Sequence, residues 1–171
     1  NSITGIAIGY IQSGKTLSFT TVSALASQNG FNLIIVIAGS TTKLVNQTTE
    51  RLTGDLDIHN RSETSWKLYK NPTLKNAEEV VCDMEEGLFN DKPVLLVTVM
   101  KNTVHLKNLL SLLRSTKIKE LGLKALIIDD EADQASLNTK ANSKLENDAS
   151  TIYSLMGDMC STLKNHTFLQ Y

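Results

Sequence analysis

Hydrophobic residues occur along this chain in short continuous runs, and a polar or amphipathic segment follows each run. Five of the runs are apolar at nearly every position, a pattern typical of strands that are buried on both faces of a parallel sheet. These five predicted strands cover residues 4–9, 32–39, 93–99, 123–130 and 167–171.

Most of the segments between the runs carry apolar residues at helical spacing, as Leu44, Val45 and Leu52 do. The predicted helices cover residues 15–28, 42–52, 77–88, 103–115 and 151–163. Residues 54–75 and 138–150 are polar, so we expect irregular structure in the first and a mobile segment in the second. The alternation of strands and helices predicts an α/β fold, in which helices sandwich a parallel β-sheet.

Composition and charge are those of an ordinary soluble domain. Of the 171 residues, 41% are hydrophobic and 20% charged, and the net charge of −1 creates no strong field toward nucleic acid or a membrane. No apolar run approaches the ~20 residues that cross a bilayer, and no signal peptide opens the chain. We therefore expect a cytoplasmic protein with no membrane partner, in which Cys82 and Cys160 are free thiols. We interpret residues 1–171 as one domain of a longer polypeptide.

The segment GYIQSGKT, residues 9–16, has the spacing of a phosphate-binding loop, or Walker A motif. Gly9 and Gly14 allow the backbone to turn so that successive N–H groups face one anion. Lys15 would bring a positive charge to the phosphates, and the hydroxyl of Thr16 would be a magnesium ligand. The strand and the helix that the motif requires are predicted on either side of it. The alternative is a plain glycine turn before a helix, with a solvated lysine.

Three consecutive acidic residues, Asp129, Asp130 and Glu131, follow the apolar run ALII. A carboxylate at the carboxyl end of a buried parallel strand lies where such sheets bind ligands. Beside a phosphate loop, one such acid helps to hold magnesium, and the next orients or deprotonates the attacking water. A solvated acidic turn is the alternative. The residues alone do not decide which acid holds the metal.

Three segments together resemble the first RecA-like domain of superfamily-two helicases and translocases. They are GYIQSGKT, the segment AGSTTKLVNQ at residues 38–47, and IIDDEAD at residues 127–133. The longer string IDDEADQASLNT, with QSGKT and VMKNTVHLKNLL, is similar to the Z-one domain. That family comprises bacterial helicase-like ATPases with a proposed endonuclease activity.

The resemblance implies a role for individual residues. Asp130 would be the acidic magnesium ligand, Glu131 would activate water, and Asp129 would be a neighbour that contacts the phosphate loop. The implied nucleotide-binding residues are Gly9, Gln12, Ser13, Gly14, Lys15 and Thr16, of which Lys15 also acts in catalysis and Thr16 also holds the metal. The residues implied to lie near nucleic acid are Ser40, Thr41, Thr42, Lys101 and Asn102. Short polar loops have many other uses, and for Lys101 the alternative is a solvated lysine.

The function that the resemblance implies is that of an ATP-driven motor domain acting on DNA, with ATP and magnesium as cofactors. Its partners would be DNA and a second RecA-like domain in the same polypeptide, which would supply the arginine that completes the catalytic site. We therefore expect the domain alone to bind Mg–ATP weakly and to hydrolyse it very slowly. The alternatives are an ATP-dependent conformational switch that does not move along nucleic acid, and a nuclease whose cutting site lies elsewhere.

Two aromatic residues in the polar stretch, Trp66 and Tyr69, have two interpretations. They would stack on bases if they were exposed. They would pack against the core if the segment folded back on the sheet, and we favour this second interpretation. The three histidines, His59, His105 and His166, show no metal-ligand spacing.

Overall fold

The computed structural model of the chain describes residues 2–6, 15–58, 65–86, 93–130 and 143–171. The strands are β1 (Ser2–Ile6), β2 (Leu33–Ala38), β3 (Trp66–Lys70), β4 (Val94–Met100), β5 (Lys124–Asp129) and β6 (Asn165–Gln170). The helices are α1 (Lys15–Gln28), α2 (Thr42–Asp55), α3 (Ala77–Glu86), α4 (Thr103–Arg114), α5 (Thr116–Glu120) and α6 (Ser143–Thr162), with a 3-10 turn at Leu74–Asn76.

The six strands form one sheet in the order β1-β6-β5-β2-β4-β3. All five neighbouring pairs are parallel. Every residue of β2 and β4 is buried, as expected for central strands that are covered on both faces. The predicted fold class, a parallel sheet sandwiched by helices, is confirmed at this level.

The side chains of the central strands alternate between two hydrophobic layers. Leu33, Ile35 and Ile37 of β2 pack in one layer with the buried residues of α3, α4, α5 and α6. Ile34 and Val36 point the other way and pack with α1 and α2. The two layers explain why β2 is apolar at every position, since neither of its faces contacts solvent.

One strand was missed by the sequence analysis, which predicted irregular structure throughout residues 54–75. β3 lies there, at the edge of the sheet, and pairs with β4 alone among the described strands. Its burial shows no simple alternation, because Trp66 and Tyr69 are buried on opposite faces, whereas Leu68 and Lys70 are exposed and Lys67 is half-buried. Two lysines in five residues suit an edge strand, but they hide the apolar run by which a central strand is recognised.

Residues 138–150, for which we expected a mobile polar segment, are helical from Ser143 onward. α6 begins at Ser143, eight residues before the predicted helix at 151, so the end of this segment is helical. Residues 138–142 lie outside the described residues. The short helix α5 was also missed, whereas the predicted bounds of α1 are confirmed.

None of the helices in the described ranges is both long and apolar enough to cross a bilayer.

Candidate functional site

The strands that precede the candidate segments end at one edge of the sheet, because all six described strands run in the same direction and their carboxyl ends lie together. β1 leads into the segment that contains GYIQSGKT, and β5 leads into the three acidic residues. β2 is followed by Ser40 and Thr41, and β4 is followed by Lys101 and Asn102. Parallel sheets of this type bind ligands at this edge.

The ends of β1 and β5 are level with one another at this edge. Ile6 pairs with Gln170 on one side of β6, and Asp129 pairs with the same Gln170 on the other side. Neighbouring strands lie about 4.8 Å apart, so the two ends are about 10 Å apart across β6. The last residues of the two strands, Ile6 and Asp129, therefore end at the same edge of the sheet.

Tyr171, the residue after β6, connects the first turns of α1 to the end of β5. Its backbone N–H donates to the Asp129 carbonyl at 2.9 Å. Its hydroxyl lies 3.0 Å from the Ser18 hydroxyl oxygen, and its ring packs edge-on against Phe19 with the centroids 5.7 Å apart. The positive end of the α1 dipole is thus held close to the acid-bearing strand.

Asp129 is fully buried and forms an ion pair with Lys101. The Lys101 Nζ lies 2.8 Å from Asp129 Oδ1, and the side chains are 6% and 0% exposed. The alternative that we gave for Lys101 from the sequence, a solvated lysine, is therefore wrong. Its ammonium is held by Asp129, so its predicted contact with nucleic acid would require this pair to open.

Asp130 differs from Asp129 in its surroundings, although the two are adjacent. Asp130 is half-buried and lies one residue beyond the end of β5. Its backbone N–H donates to the Ile37 carbonyl at 3.0 Å, which fixes the direction in which the chain leaves the sheet. This half-exposed carboxylate is the better placed of the two for a ligand at the edge.

The polar residues after β2 are exposed at the start of α2. Ser40, Thr41 and Thr42 all face solvent, as does Lys43 beside them. Thr41 caps α2, since its side-chain oxygen accepts from the Leu44 N–H at 3.3 Å. Their exposure is compatible with the predicted contact with nucleic acid.

Asn102, the fifth residue implied to lie near nucleic acid, is the N-cap of α4. Its Oδ1 accepts from the His105 N–H at 2.9 Å, and its Nδ2 lies 2.9 Å from the Met100 sulfur. The side chain is half-buried and bonded at both ends, so the structure gives it a helix-capping role.

The remaining predicted site residues lie at or beyond the limits of the described residues. Lys15 and Thr16 are the first two residues of α1, and only their backbone is described. The predicted residues outside the described ranges are Gly9, Gln12, Ser13, Gly14 and Glu131. Their roles stay predictions.

The two aromatic residues of β3 belong to the core, as we favoured. Trp66 is 6% exposed and packs with Val94 and Leu96 in the layer that α1 and α2 cover. Tyr69 is equally buried in the other layer, where its hydroxyl donates to Asp83 Oδ2. Neither ring is available to stack on a base in this arrangement.

Two features of this edge were not predicted from the sequence. The first is Tyr171, whose contacts with Ser18 and Asp129 depend on the strand order β1-β6-β5. The second is the pairing of Lys101 with Asp129. The sequence does show Lys101 shortly after a predicted strand and Asp129 near the end of another. Only the order of the strands in the sheet, however, places the two residues close together.

No protein-family model matches the chain, and no significantly similar curated protein was found for it.

Proposed function

We propose that this chain is the ATP-binding and ATP-hydrolysing motor domain of a helicase-like protein that acts on DNA. One observation carries the proposal: the strand before GYIQSGKT and the strand before the acids end level with each other, on either side of β6. An ATP molecule needs donors for its phosphates and oxygen ligands for its magnesium ion at one place, and both segments follow strands that end at this edge.

The residue types suit Mg–ATP. Magnesium prefers oxygen ligands, and the Thr16 hydroxyl and the Asp130 carboxylate are oxygen donors. The glycine loop and the N-terminus of α1 would hold the phosphates, with Lys15 as a point charge on them. Glu131 would orient and deprotonate the attacking water. When bound, the magnesium ion supplies neutralisation of the charge that develops on the phosphate oxygens.

The loop after β2 is our candidate for the contact with DNA. Ser40, Thr41 and Thr42 offer hydroxyl groups, and the exposed Lys43 offers a cation, at the same edge as the nucleotide. Hydroxyl and lysine side chains bind the phosphate backbone without reading the base sequence. Such contacts suit a motor, which must grip any sequence that it meets.

The burial of Lys101 favours a second candidate function, an ATP-dependent switch that does not move along DNA. Lys101 is the one cation among the five residues implied to lie near nucleic acid, and its ammonium is paired with Asp129 inside the protein. A switch would use the same nucleotide site, but it would need no cations along a DNA track.

ATP hydrolysis by the longest chain available, with and without single- or double-stranded DNA, tests the proposal. We expect DNA to stimulate hydrolysis and both Lys15→Ala and Glu131→Gln to abolish it. Lys119→Ala and Glu120→Gln are matched controls, because both residues are exposed on α5, away from the edge. Hydrolysis that is indifferent to DNA supports the switch, and hydrolysis that survives Lys15→Ala contradicts both candidates.

A further inference from the structure

We infer that a cavity at the other edge of the sheet, where the strands begin, binds a small amphipathic anion. Such a ligand has an apolar body and carries one carboxylate, sulfonate or phosphate group. The cavity has a volume of about 670 Å³, within the range of ~300–1,000 Å³ that is typical of small-molecule sites. All of its lining residues belong to the described part of the chain. The inference goes beyond the proposed function, because it concerns a different site.

The cavity lies where β5 and β6 begin, whereas the candidate nucleotide site lies where the strands end. Leu123 and Lys164, the residues just before these two strands, line it together with the last turns of α4 and α6 and with part of α5. β5 has six residues, so the two edges of the sheet are about 20 Å apart. A ligand in the cavity therefore does not compete with a nucleotide, and changes to its rim should not alter the nucleotide site.

The inner wall of the cavity is apolar. It is formed by four side chains, each at most 7% exposed: Leu113, Ile118, Leu123 and Leu163. The same four residues pack in the hydrophobic layer that α3, α4, α5 and α6 cover, so the core fixes their positions. An apolar body placed against this wall leaves water, which is the main favourable term when such ligands bind.

The rim of the cavity is positively charged. Its charged residues are Arg114, Lys119, Lys164 and a single acid, Asp158. The Arg114 Nη2 lies 2.9 Å from Asp158 Oδ2, a contact that joins α4 to α6 and neutralises both side chains. Lys119 and Lys164 are exposed, and neither forms an ion pair with a described residue. Two ammonium groups are thus available to an anion above the apolar wall.

The helix ends at this edge oppose an anion, but they do not cancel the two lysines. The two long helices that end here, α4 and α6, each present roughly half a negative charge, so a net positive charge of about one remains on the cavity. The hydroxyls of Ser161 and Thr162 donate to helix carbonyls at 3.0 and 2.7 Å and are not free for a ligand. Lys119 and Lys164 are therefore the groups that would bind the anion.

The experiment uses two fluorescent probes of similar shape on the longest chain available. Anilinonaphthalene sulfonate is an amphipathic anion, and phenylnaphthylamine has the same rings without the sulfonate. Lys119→Met combined with Lys164→Met removes both charges and keeps the side-chain length. We expect this double variant to bind the sulfonate about 3- to 30-fold more weakly, which is the effect of two exposed charge contacts. Its affinity for phenylnaphthylamine should change by less than about twofold.

The matched control combines Lys75→Met with Lys107→Met, two exposed lysines that do not line the cavity. It should bind both probes as the wild type does. Ser161, which lines the cavity on α6, offers a second pair of variants. Ser161→Glu places a negative charge there and should weaken sulfonate binding about 3- to 10-fold relative to the uncharged Ser161→Gln. Urea unfolding, followed by Trp66 fluorescence, verifies that each variant is folded.

Three results would overturn the inference. The first is a folded wild-type chain that shows no saturable binding of the sulfonate. The second is equal sulfonate affinity in the wild type and in the variant that lacks Lys119 and Lys164. The third is an equal loss of affinity in the control variant that lacks Lys75 and Lys107, because binding would then follow net charge and not this cavity. None of these results bears on ATP binding, so the proposed function is tested separately.

Discussion

At the scale of single residues, the packing of β3 depends on polar contacts with α3 that the sequence does not reveal. The Tyr69 hydroxyl donates to Asp83, and the Lys67 ammonium lies 2.9 Å from the other oxygen of the same carboxylate. Burial raises the pKa of Tyr69 far above its usual value, and the bond to Asp83 raises it further. The bond to Asp83 also raises the pKa of Lys67. One half-buried carboxylate thus connects the edge strand to the helix beside it.

The raised pKa of Tyr69 predicts a loss of stability at alkaline pH. The folded state binds the tyrosine proton more tightly than the unfolded chain, so this contribution is complete below about pH 10 and is lost as the pH rises above it. Tyr69→Phe should lower the free energy of unfolding by about 1 kcal/mol at neutral pH, because one buried hydrogen bond is lost. The free energy of unfolding of the variant should also decline less steeply above pH 10 than that of the wild type. Urea unfolding from pH 7 to 11 measures both effects. If the free energy of unfolding declined equally steeply with pH above pH 10 in the two proteins, this account would be contradicted.

At the scale of elements, the regular helices and the central strands could be predicted because local pattern and burial agree. α1 is an example, with a helical run that ends before Gly30. Gly30 adopts φ +79°, and the Phe31 N–H donates to the Ala26 carbonyl at 3.0 Å, which closes the helix. β3 could not be predicted, because an edge strand with two lysines lacks the pattern of a central strand.

Two glycines provide a matched test of these elements. Gly157 lies exposed in the interior of α6, and a Cβ added there meets nothing within 4 Å. Gly157→Ala should therefore raise the free energy of unfolding by about 0.5–1 kcal/mol. Gly30→Ala should lower it by about 1 kcal/mol, because alanine is strained at positive φ although the space is open.

The fluorescence of Trp66, the single tryptophan, reports urea unfolding for both glycine variants. A higher unfolding midpoint for Gly157→Ala and a lower one for Gly30→Ala support the described positions of the two glycines. A stabilising Gly30→Ala substitution would contradict the left-handed conformation of that residue.

At the scale of the whole molecule, the parallel sheet gathers segments that are far apart in the sequence. That the strands before the glycine motif and before the acids would end at one edge followed from the alternation of strands and helices. The finer arrangement did not, because Lys101, Asp129 and Tyr171 become neighbours only through the strand order β1-β6-β5-β2-β4. Contacts of this kind depend on the pairing of the strands, and no local pattern of residues specifies them.

The central claim is that the loop after β1 and Asp130 after β5 act on the same Mg–nucleotide. The most direct test is the affinity of the wild-type chain for a fluorescent ATP analogue, with and without magnesium, beside Lys15→Ala and Asp130→Asn. Asp158→Asn serves as the control for Asp130→Asn, because Asp158 lies on α6 in an exposed ion pair with Arg114.

We expect magnesium to tighten binding by the wild-type chain and by Asp158→Asn. Asp130→Asn should lose this tightening but keep the affinity measured without magnesium, and Lys15→Ala should lose binding in both conditions. If Asp130→Asn responded to magnesium as the wild type does, the two segments would not share one metal ion, and the account of this edge as a nucleotide site would be contradicted.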